Sequence, residues 1–204
     1  MQAEGETVRS ARLAYWLGVS RPTVAVALRR MTRDGMVTIS GRKDIRLTSA
    51  GAAIAAAIVR RHRIVERWLT DQLGFDWAAA DEEAARLEHA VSDRVEERLY
   101  QALGRPTSCP HGNPIPGYSE ADPGEVRLAA LGRGREAVVS RISEVAEREA
   151  PALLGYLLGR GLVPGRRVSV LEVDEVGRTL RVRVGDEAIS VSPDTGSKIW
   201  VVPA

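Results

Sequence analysis

The stretch LGVSRPTV, residues 17–24, carries the signals of a tight turn followed by the start of a helix. Gly18 suits the turn, and Ser20 can cap the next helix through its hydroxyl group. Pro22 suits the first helical turn, because the N–H that proline lacks would have no helical partner there. Apolar spacing before the stretch predicts another helix over residues 8–18. The sequence therefore predicts two helices joined by a short turn.

The residues after this turn predict a second helix and then a β-hairpin. One apolar face of the helix is marked at helical spacing by Val24, Leu28 and Met31. An Asp-Gly pair at residues 34–35 ends the helix, and apolar residues alternate at 37–39 and 45–47 around a charged tip. The order of helix, turn, helix and hairpin predicts a winged helix-turn-helix over residues 1–48.

Charge is divided unevenly along the 204 residues, although the formal net charge is only +2. Residues 1–63 carry 12 Lys and Arg against 4 Asp and Glu, whereas residues 64–130 carry 6 against 13. A basic first third suits contact with phosphates, and an acidic middle suits cations.

The winged helix-turn-helix pattern and the basic charge predict a DNA-binding surface. The second helix would enter a major groove, and the hairpin tip would reach the DNA backbone. The predicted contacts are Ser20, Arg21, Pro22 and Thr23 at the helix start, and Arg42 and Lys43 at the tip. A winged helix that binds protein is the structural alternative.

The middle segment, residues 49–117, predicts two long amphipathic helices, over residues 51–73 and 81–103. Their apolar stripes are formed by Ile54, Ile58, Val65 and Leu69, and by Leu87, Val91, Val95 and Leu99. So much apolar surface predicts a helical dimerisation layer. Glycine, proline and charged residues predict a linker over residues 118–134.

The last segment, residues 135–204, changes its period. Residues 138–158 predict mainly helix, broken near Pro151. Four short alternating runs follow, at residues 168–173, 180–184, 189–191 and 199–202, with glycines between them. This spacing predicts a small β-barrel. The whole chain is thus predicted to be mainly α with a small β domain.

The stretch RHRIVE, residues 61–66, holds candidate metal ligands. His62 and Glu66 are four residues apart, so an imidazole and a carboxylate leave one helix face together. In the next predicted helix one face is shared by Asp81, Ala85, Glu88 and His89. The two faces predict a site for a divalent metal.

Together these segments resemble the diphtheria toxin repressor family of metal-dependent transcriptional regulators. The resemblance rests on residues 17–24, 33–35, 47–48, 61–63, 66–67, 87–89, 92–93 and 112–117. The last segment, with GLVPG at residues 161–165, is similar to the FeoA-type SH3-like domain that many members append. The resemblance implies a homodimer that binds a palindromic operator in double-stranded DNA and represses metal-homeostasis genes.

For the metal site, the resemblance implies the ligands His62, Glu66, Glu88 and His89. Asp81 stands where many members have histidine, and a carboxylate is an acceptable ligand for a hard divalent ion. Ala85 departs from the family, which places Cys or Glu there, and alanine cannot bind a metal. The remaining nitrogen and oxygen ligands favour Mn²⁺ or Fe²⁺, with Zn²⁺ left open.

The start of the chain is a second departure from the family. Members have an additional helix before the helix at residues 8–18, and it supplies a Met or Asp ligand. Here only MQAEG precedes Glu6, so we expect either a truncated start or a protein without this helix. Glu147 or Glu149 could complete the site from the SH3-like domain.

Three functional interpretations follow from these patterns. A metal-responsive repressor explains most of them, whereas Ala85 and the start of the chain favour a degenerate paralogue that binds DNA as a dimer without sensing metal. A metallohydrolase is disfavoured because the sequence lacks HExxH, a nucleophile elbow and a P-loop. Cys109 and His111 form a possible soft metal pair, but with no predicted partner nearby we interpret their segment as a loop.

Composition and targeting signals predict the compartment. A single cysteine excludes an intramolecular disulfide and suits a reducing environment. The first ten residues hold no apolar run typical of a signal peptide, and no stretch is long enough to span a membrane. We therefore expect a cytoplasmic protein with no membrane contact and no small-molecule substrate.

Overall fold

The structure is a computed structural model that describes residues 8–41, 43–144 and 151–204, with the side chain of Pro151 left out. The chain divides into two compact units, residues 1–59 and 60–204. Within the described ranges, no helix has both the length and the apolar composition that a membrane span requires.

The first unit is the predicted winged helix-turn-helix. Its elements are α1 (Ser10–Trp16), α2 (Arg21–Arg33), β1 (Val37–Ile39) and β2 (Ile45–Leu47). The two strands pair antiparallel, and the small core is formed by Ala14, Val24, Leu28, Val37 and Ile45. One residue of the predicted apolar face differs from expectation, because Met31 is 39% exposed.

Three helices follow the hairpin: α3 (Ser49–Leu73), α4 (Trp77–Leu87) and α5 (Asp93–Ala102). The predicted single helix over residues 81–103 is wrong, since the chain leaves helical conformation between α4 and α5. The local reason is a new helix start, where the Ser92 hydroxyl accepts a hydrogen bond from Val95 N–H at 3.4 Å.

Ion pairs between α3 and α5 hold the turn between α4 and α5 in place. The buried Glu96 carboxylate accepts hydrogen bonds from Arg60 Nε at 2.6 Å and from Arg61 Nε at 3.1 Å. Arg61 also donates to the carbonyl oxygen of Glu88 at 3.2 Å. The end of α4 therefore lies at a fixed place beside α3. A small apolar core supports it: Val65, Leu69, Ala80 and Ala84.

The C-terminal part of the second unit is a six-stranded antiparallel sheet with strand order β3-β8-β4-β5-β6-β7. The strands are β3 (Val126–Arg127), β4 (Glu136–Ile142), β5 (Arg167–Asp174), β6 (Thr179–Val184), β7 (Glu187–Val191) and β8 (Ile199–Pro203). Short helices at Pro151–Gly159 and Pro193–Gly196 accompany the sheet. The four short strands predicted between residues 168 and 202 are confirmed, and β3 lies within the segment predicted as linker.

The predicted mainly helical segment over residues 138–158 is wrong in its first part, because β4 occupies Glu136–Ile142. Its pairing with β8 shifts register between Val139 and Arg141, so Ser140 is an extra residue in this strand. Burial alternates along β4 as far as Arg141, and the alternation ends at the last residue, because Arg141 and Ile142 are both buried. Only the later part of the segment, Pro151–Gly159, is described as helix.

Candidate metal centre and nucleic-acid interface

The predicted DNA-contacting residues of the first unit lie at the exposed start of α2. The Ser20 hydroxyl caps this helix, because it accepts a hydrogen bond from Thr23 N–H at 3.2 Å. The side chains of Ser20, Arg21, Pro22 and Thr23 are all exposed. A helix start with free surface and nearby cations is suited to phosphate and base contacts.

The hairpin tip holds the second predicted set. Lys43 is exposed and adopts a positive φ of 61°, and its N–H donates to the carbonyl of Ser40 at 2.8 Å. This turn directs a cation to the end of the hairpin, as a wing that contacts DNA backbone requires. Arg42 lies outside the residues that the structure describes.

In the second unit, His62 on α3 lies between two carboxylates of α4. Its Nδ1 is 2.9 Å from Glu88 Oε2, and its Nε2 is 3.2 Å from Asp81 Oδ1. Burial disfavours the charged imidazolium, but the hydrogen bond to Asp81 and the charges of Glu66, Asp81 and Glu88 outweigh it and raise the pKa of His62 above 6.5. The three side chains form what we call the His62 group: His62, Asp81 and Glu88.

His89 and Ala85 lie at the margin of this group. His89 is 70% exposed on its side chain, and its Nε2 is 3.4 Å from Glu88 Oε1. Ala85 is also exposed, one helical turn before Glu88 and His89. On the predicted ligand face of α4, the carboxylates of Asp81 and Glu88 are therefore partly buried, whereas Ala85 and His89 are exposed. Ala85 offers no donor atom to a metal.

Glu66 is placed in a different cluster, which we call the Glu66 group: Glu66, Cys109 and His111. One ligand atom from each of the three side chains lies within 4.8 Å of the others, and all three residues are buried. Glu66 Oε1 is 2.7 Å from His111 Nδ1, and Cys109 Sγ is 4.0 Å from the same nitrogen. The expectation that Cys109 and His111 have no partner nearby is therefore wrong.

A loop over residues 107–115 presents the sulfur and imidazole of the Glu66 group. The N–H of Cys109 donates to the carbonyl of Asn113, and the N–H of Gly112 donates to the carbonyl of Cys109, both at 2.9 Å. From α3, Arg67 donates to the carbonyl of Cys109 at 3.3 Å, and Arg63 donates to the carbonyl of Pro114. The ring of Trp77 contacts His111 edge-on, with centroids 4.8 Å apart.

Among the described residues, the Glu66 group is the one set in which three side chains with metal-binding donor atoms converge, and its donor chemistry fits a divalent metal ion. In the His62 group the two carboxylates lie against different ring nitrogens of His62. Two ligand atoms of a tetrahedral ion stand about 3.5 Å apart, given bond lengths of about 2.0–2.3 Å. The ligand atoms of the Glu66 group lie within 4.8 Å of one another, which is close to the spacing that one ion requires. In the His62 group, one ring nitrogen can bind metal while the other donates to a carboxylate. The Glu66 group adds a sulfur donor to the nitrogen and oxygen donors expected from sequence.

Sequence reasoning missed the Glu66 group because Glu66 precedes Cys109 and His111 by more than forty residues and shares no helix face with them. The only local signal was the Cys-x-His spacing in SCPHGNP, residues 108–114. Glu147 and Glu149, predicted as possible completing ligands, lie outside the described residues, as does the segment before residue 8.

Comparison with known families assigns both parts of the chain beyond the hairpin. Residues 48–117 match a family model described as "Iron dependent repressor, metal binding and dimerisation domain". Residues 126–203 match the FeoA domain. The two matches cover both ligand groups and the C-terminal sheet.

Whole-chain relatives agree with these matches. The iron-dependent repressor IdeR of Mycobacterium tuberculosis is 39% identical over 212 residues, covering 98% of this chain and 91% of the relative. The diphtheria toxin repressor of Corynebacterium diphtheriae is 36% identical over 183 residues, covering 85% of this chain and 80% of the relative. A solved structure described as a manganese-dependent transcriptional repressor in complex with manganese is 33% identical, with a TM-score of 0.88 over 98% of this chain and 92% of its own. The chain belongs to the iron-dependent repressor family, whose members are transcriptional regulators and not enzymes.

Proposed function

We propose that this protein represses metal-homeostasis genes by binding a palindromic operator in double-stranded DNA as a homodimer, with Mn²⁺ or Fe²⁺ as the activating ion. The observation that carries the proposal is the presence of two groups of metal-type ligands within the region that matches the metal-binding and dimerisation domain. The names of the relatives, iron-dependent and manganese-dependent repressors, support the same activity.

The His62 group is proposed as the first metal site, with His62 and Glu88 as its principal ligands and Asp81 beside them. His89 is proposed to join this site at its exposed edge, through its contact with Glu88. In the metal-free protein the imidazolium form of His62 can donate one N–H to each carboxylate. A divalent cation replaces a proton in this environment, because the same carboxylates stabilise either positive charge.

The Glu66 group is proposed as the second metal site. Its thiol, imidazole and carboxylate are buried, and a metal-bound cysteine is a thiolate. Sulfur also makes this group more tolerant of Zn²⁺ than the His62 group, so Zn²⁺ stays open as a ligand here.

The DNA surface is proposed to comprise Ser20, Arg21, Pro22 and Thr23, with Arg42 and Lys43 on the wing. The exposure of the α2 start supports the first four assignments, and the turn at Lys43 supports the wing. Arg42 is assigned from sequence alone. The proposed division is a DNA-binding domain at 1–48, a dimerisation and metal-binding domain at 49–117, a linker at 118–134 and an SH3-like domain at 135–204, all acting in the cytoplasm.

The alternative of a DNA-binding paralogue without metal sensing is not favoured. Its support was Ala85 and the short start of the chain, yet Ala85 removes no member of either ligand group. The relatives of similar length are named for their dependence on metal.

The test begins with duplexes selected from random DNA by the full chain in the presence of Mn²⁺. Fluorescence anisotropy then measures affinity for the selected duplex with Mn²⁺ and with EDTA. We expect tight binding only with metal, a loss of affinity for every duplex in Lys43→Ala, and a loss of sequence preference in Arg21→Ala. Equal DNA affinity with Mn²⁺ and with EDTA would contradict metal dependence. Wild-type affinity and sequence preference in Arg21→Ala would contradict the assignment of base contacts to the start of α2.

The dimer is tested by sedimentation of the full chain at micromolar concentration. The apolar face of the helical region predicts a dimer with or without DNA. A monomer under both conditions would contradict the proposed assembly.

A further inference from the structure

The loop that presents Cys109 and His111 is bound to the C-terminal sheet as well as to α3. The N–H of Ile142, the last residue of β4, donates to the carbonyl of His111 at 2.9 Å. In the reverse direction, Asn113 Nδ2 donates to the carbonyl of Ile142 at 3.0 Å. Two hydrogen bonds thus join the loop to one residue of the sheet, one through the main chain of His111 and one through the side chain of Asn113.

The close approach of loop and strand requires Gly112. Its φ is +86°, and a Cβ atom added there would lie 2.1 Å from the carbonyl oxygen of Ser140. Ser140 is the extra residue of the bulge in β4, so the strand is irregular where the loop meets it. Bulges redirect a strand locally, and here the irregular part of β4 accommodates the loop.

Buried polar side chains reinforce this contact. Asn113 is 2% exposed, and its Oδ1 accepts a hydrogen bond from Arg141 Nη1 at 3.4 Å. Arg141 also donates to Glu125 Oε2 at 2.8 Å, and its guanidinium lies 4.3 Å from the ring centre of Trp200. The contact between loop and sheet is therefore a connected and largely buried polar network, which makes it sensitive to the loss of one member.

We infer that the FeoA-like sheet positions the ligands of the Glu66 group through Asn113, so that metal affinity at this group depends on the docking of the loop on β4. Asn113 is a positioning residue, because it contacts the loop and the strand and is not itself a member of the ligand group. The inference rests on the proposed metal site at Glu66, Cys109 and His111.

Two consequences follow from the geometry. Loss of the Asn113 amide leaves the carbonyl of Ile142 without this donor and frees the loop to move, so Cys109 and His111 spend less time at ligand distance from Glu66. By thermodynamic reciprocity, a metal bound to His111 must also strengthen the docking of the loop on β4. The sheet is therefore expected to respond to metal, although none of its described side chains is a member of the group.

The experiment uses Co²⁺ and the full chain. Cys109 is the single cysteine of the protein, so a thiolate-to-Co²⁺ charge-transfer band reports this site alone. We expect a band in the wild type and none in Cys109→Ser. Asn113→Ala should bind Co²⁺ about tenfold or more weakly at this site, within the range typical of residues that orient metal ligands.

The matched control is Ile189→Val, which removes a buried methylene group from β7, away from the loop. It should lower the melting temperature of the protein without changing the Co²⁺ affinity. If it weakens Co²⁺ binding as much as Asn113→Ala does, the effect reflects general stability and the inference is overturned.

Hydrogen exchange of the wild-type protein needs no variant. Saturating Co²⁺ should slow exchange of the Ile142 amide several-fold and leave the amides of β7 unchanged. An unchanged Ile142 rate, or unchanged Co²⁺ affinity in Asn113→Ala, overturns the positioning role while the metal site survives. Absence of the band in the wild type, or its persistence in Cys109→Ser, removes the proposed site and the inference together.

Discussion

His62 and Glu66 lie on the same helix, one turn apart, yet the groups that form around them differ in burial, donor atoms and support. The His62 group is partly exposed, uses only nitrogen and oxygen, and lies between α3 and α4. The Glu66 group is fully buried, includes sulfur, and depends on a loop clamped between α3 and β4. Two residues one turn apart on α3 thus belong to two groups with different physical properties.

The number of structural elements that support a group of ligands is expected to determine how firmly the group holds a metal ion. A buried site with ligands fixed by hydrogen bonds pays little to order its side chains and exchanges its ion slowly. An open site between two helices exchanges more readily and senses pH and metal concentration in the surrounding solution. If both groups bind metal as proposed, we expect the His62 group to be the better sensor and the Glu66 group the better structural site.

The largest expected effect is the loss of the buried site in Glu66→Gln. The substitution keeps the shape of the side chain but removes the carboxylate charge that a cation needs. Affinity at this group should fall by more than about 100-fold, beyond the 10–100-fold typical of residues behind the ligands. Calorimetry with Co²⁺, alongside the thiolate band, measures it. If Glu66→Gln binds Co²⁺ as tightly as the wild type, Glu66 is not a metal ligand and the Glu66 group is not a separate site.

An intermediate effect is expected at the exposed edge of the His62 group. His62→Ala should abolish binding at this group, whereas Ala85→Glu adds a carboxylate one turn from Glu88 and should tighten Mn²⁺ binding several-fold. Arg86, the exposed neighbour of Ala85, offers a matched control as Arg86→Gln, which should leave affinity near the wild-type value. If Ala85→Glu and Arg86→Gln behave alike in Mn²⁺ titrations, Ala85 does not mark a gap in the site.

The smallest expected effect concerns pH. The raised pKa of His62 means that its contribution to metal-free stability is fully present below about pH 6.5 and is lost as pH rises through the higher folded-state pKa. Metal binding needs the neutral imidazole, so Mn²⁺ affinity should rise over the same window. Melting in EDTA and Mn²⁺ calorimetry from about pH 6 to about pH 8 measure the two trends. In His62→Ala, neither the metal-free stability nor the Mn²⁺ affinity should change over this pH range. If both quantities rise or both fall with pH in the wild type, His62 is not the group responsible.

Local patterns predicted the winged helix-turn-helix, α3 and the last four strands, because each is encoded by nearby caps, glycines and apolar spacing. The break between α4 and α5 and the strand β4 were not predicted, because the residue pattern at each place indicated a continuous helix. Leu87, Val91, Val95 and Leu99 keep a spacing of four across the break between α4 and α5, so the apolar stripe hid the helix start at Ser92. In β4 the residue types do not alternate, because Ala137, Val138 and Val139 are consecutive apolar residues and the buried position 141 is an arginine.

For the candidate sites, too, local spacing predicted the contacts between helix faces and did not predict the contact with a distant loop. His62 was assigned through its helical spacing to Glu66, and its contacts to Asp81 and Glu88 follow from the predicted faces. The separation of Glu66 into a second group depends on how a loop forty residues away folds against α3 and β4. No periodicity in the sequence encodes that contact, although resemblance to known regulators placed the general region.

The most direct test of metal-dependent repression measures the affinity of the full chain for Mn²⁺ with and without the selected operator duplex. If metal tightens DNA binding, thermodynamic linkage requires DNA to tighten metal binding by the same factor, typically about 5- to 150-fold. The account predicts this gain in the wild type and its loss in His62→Ala. Mn²⁺ affinity that is the same with and without DNA would contradict it.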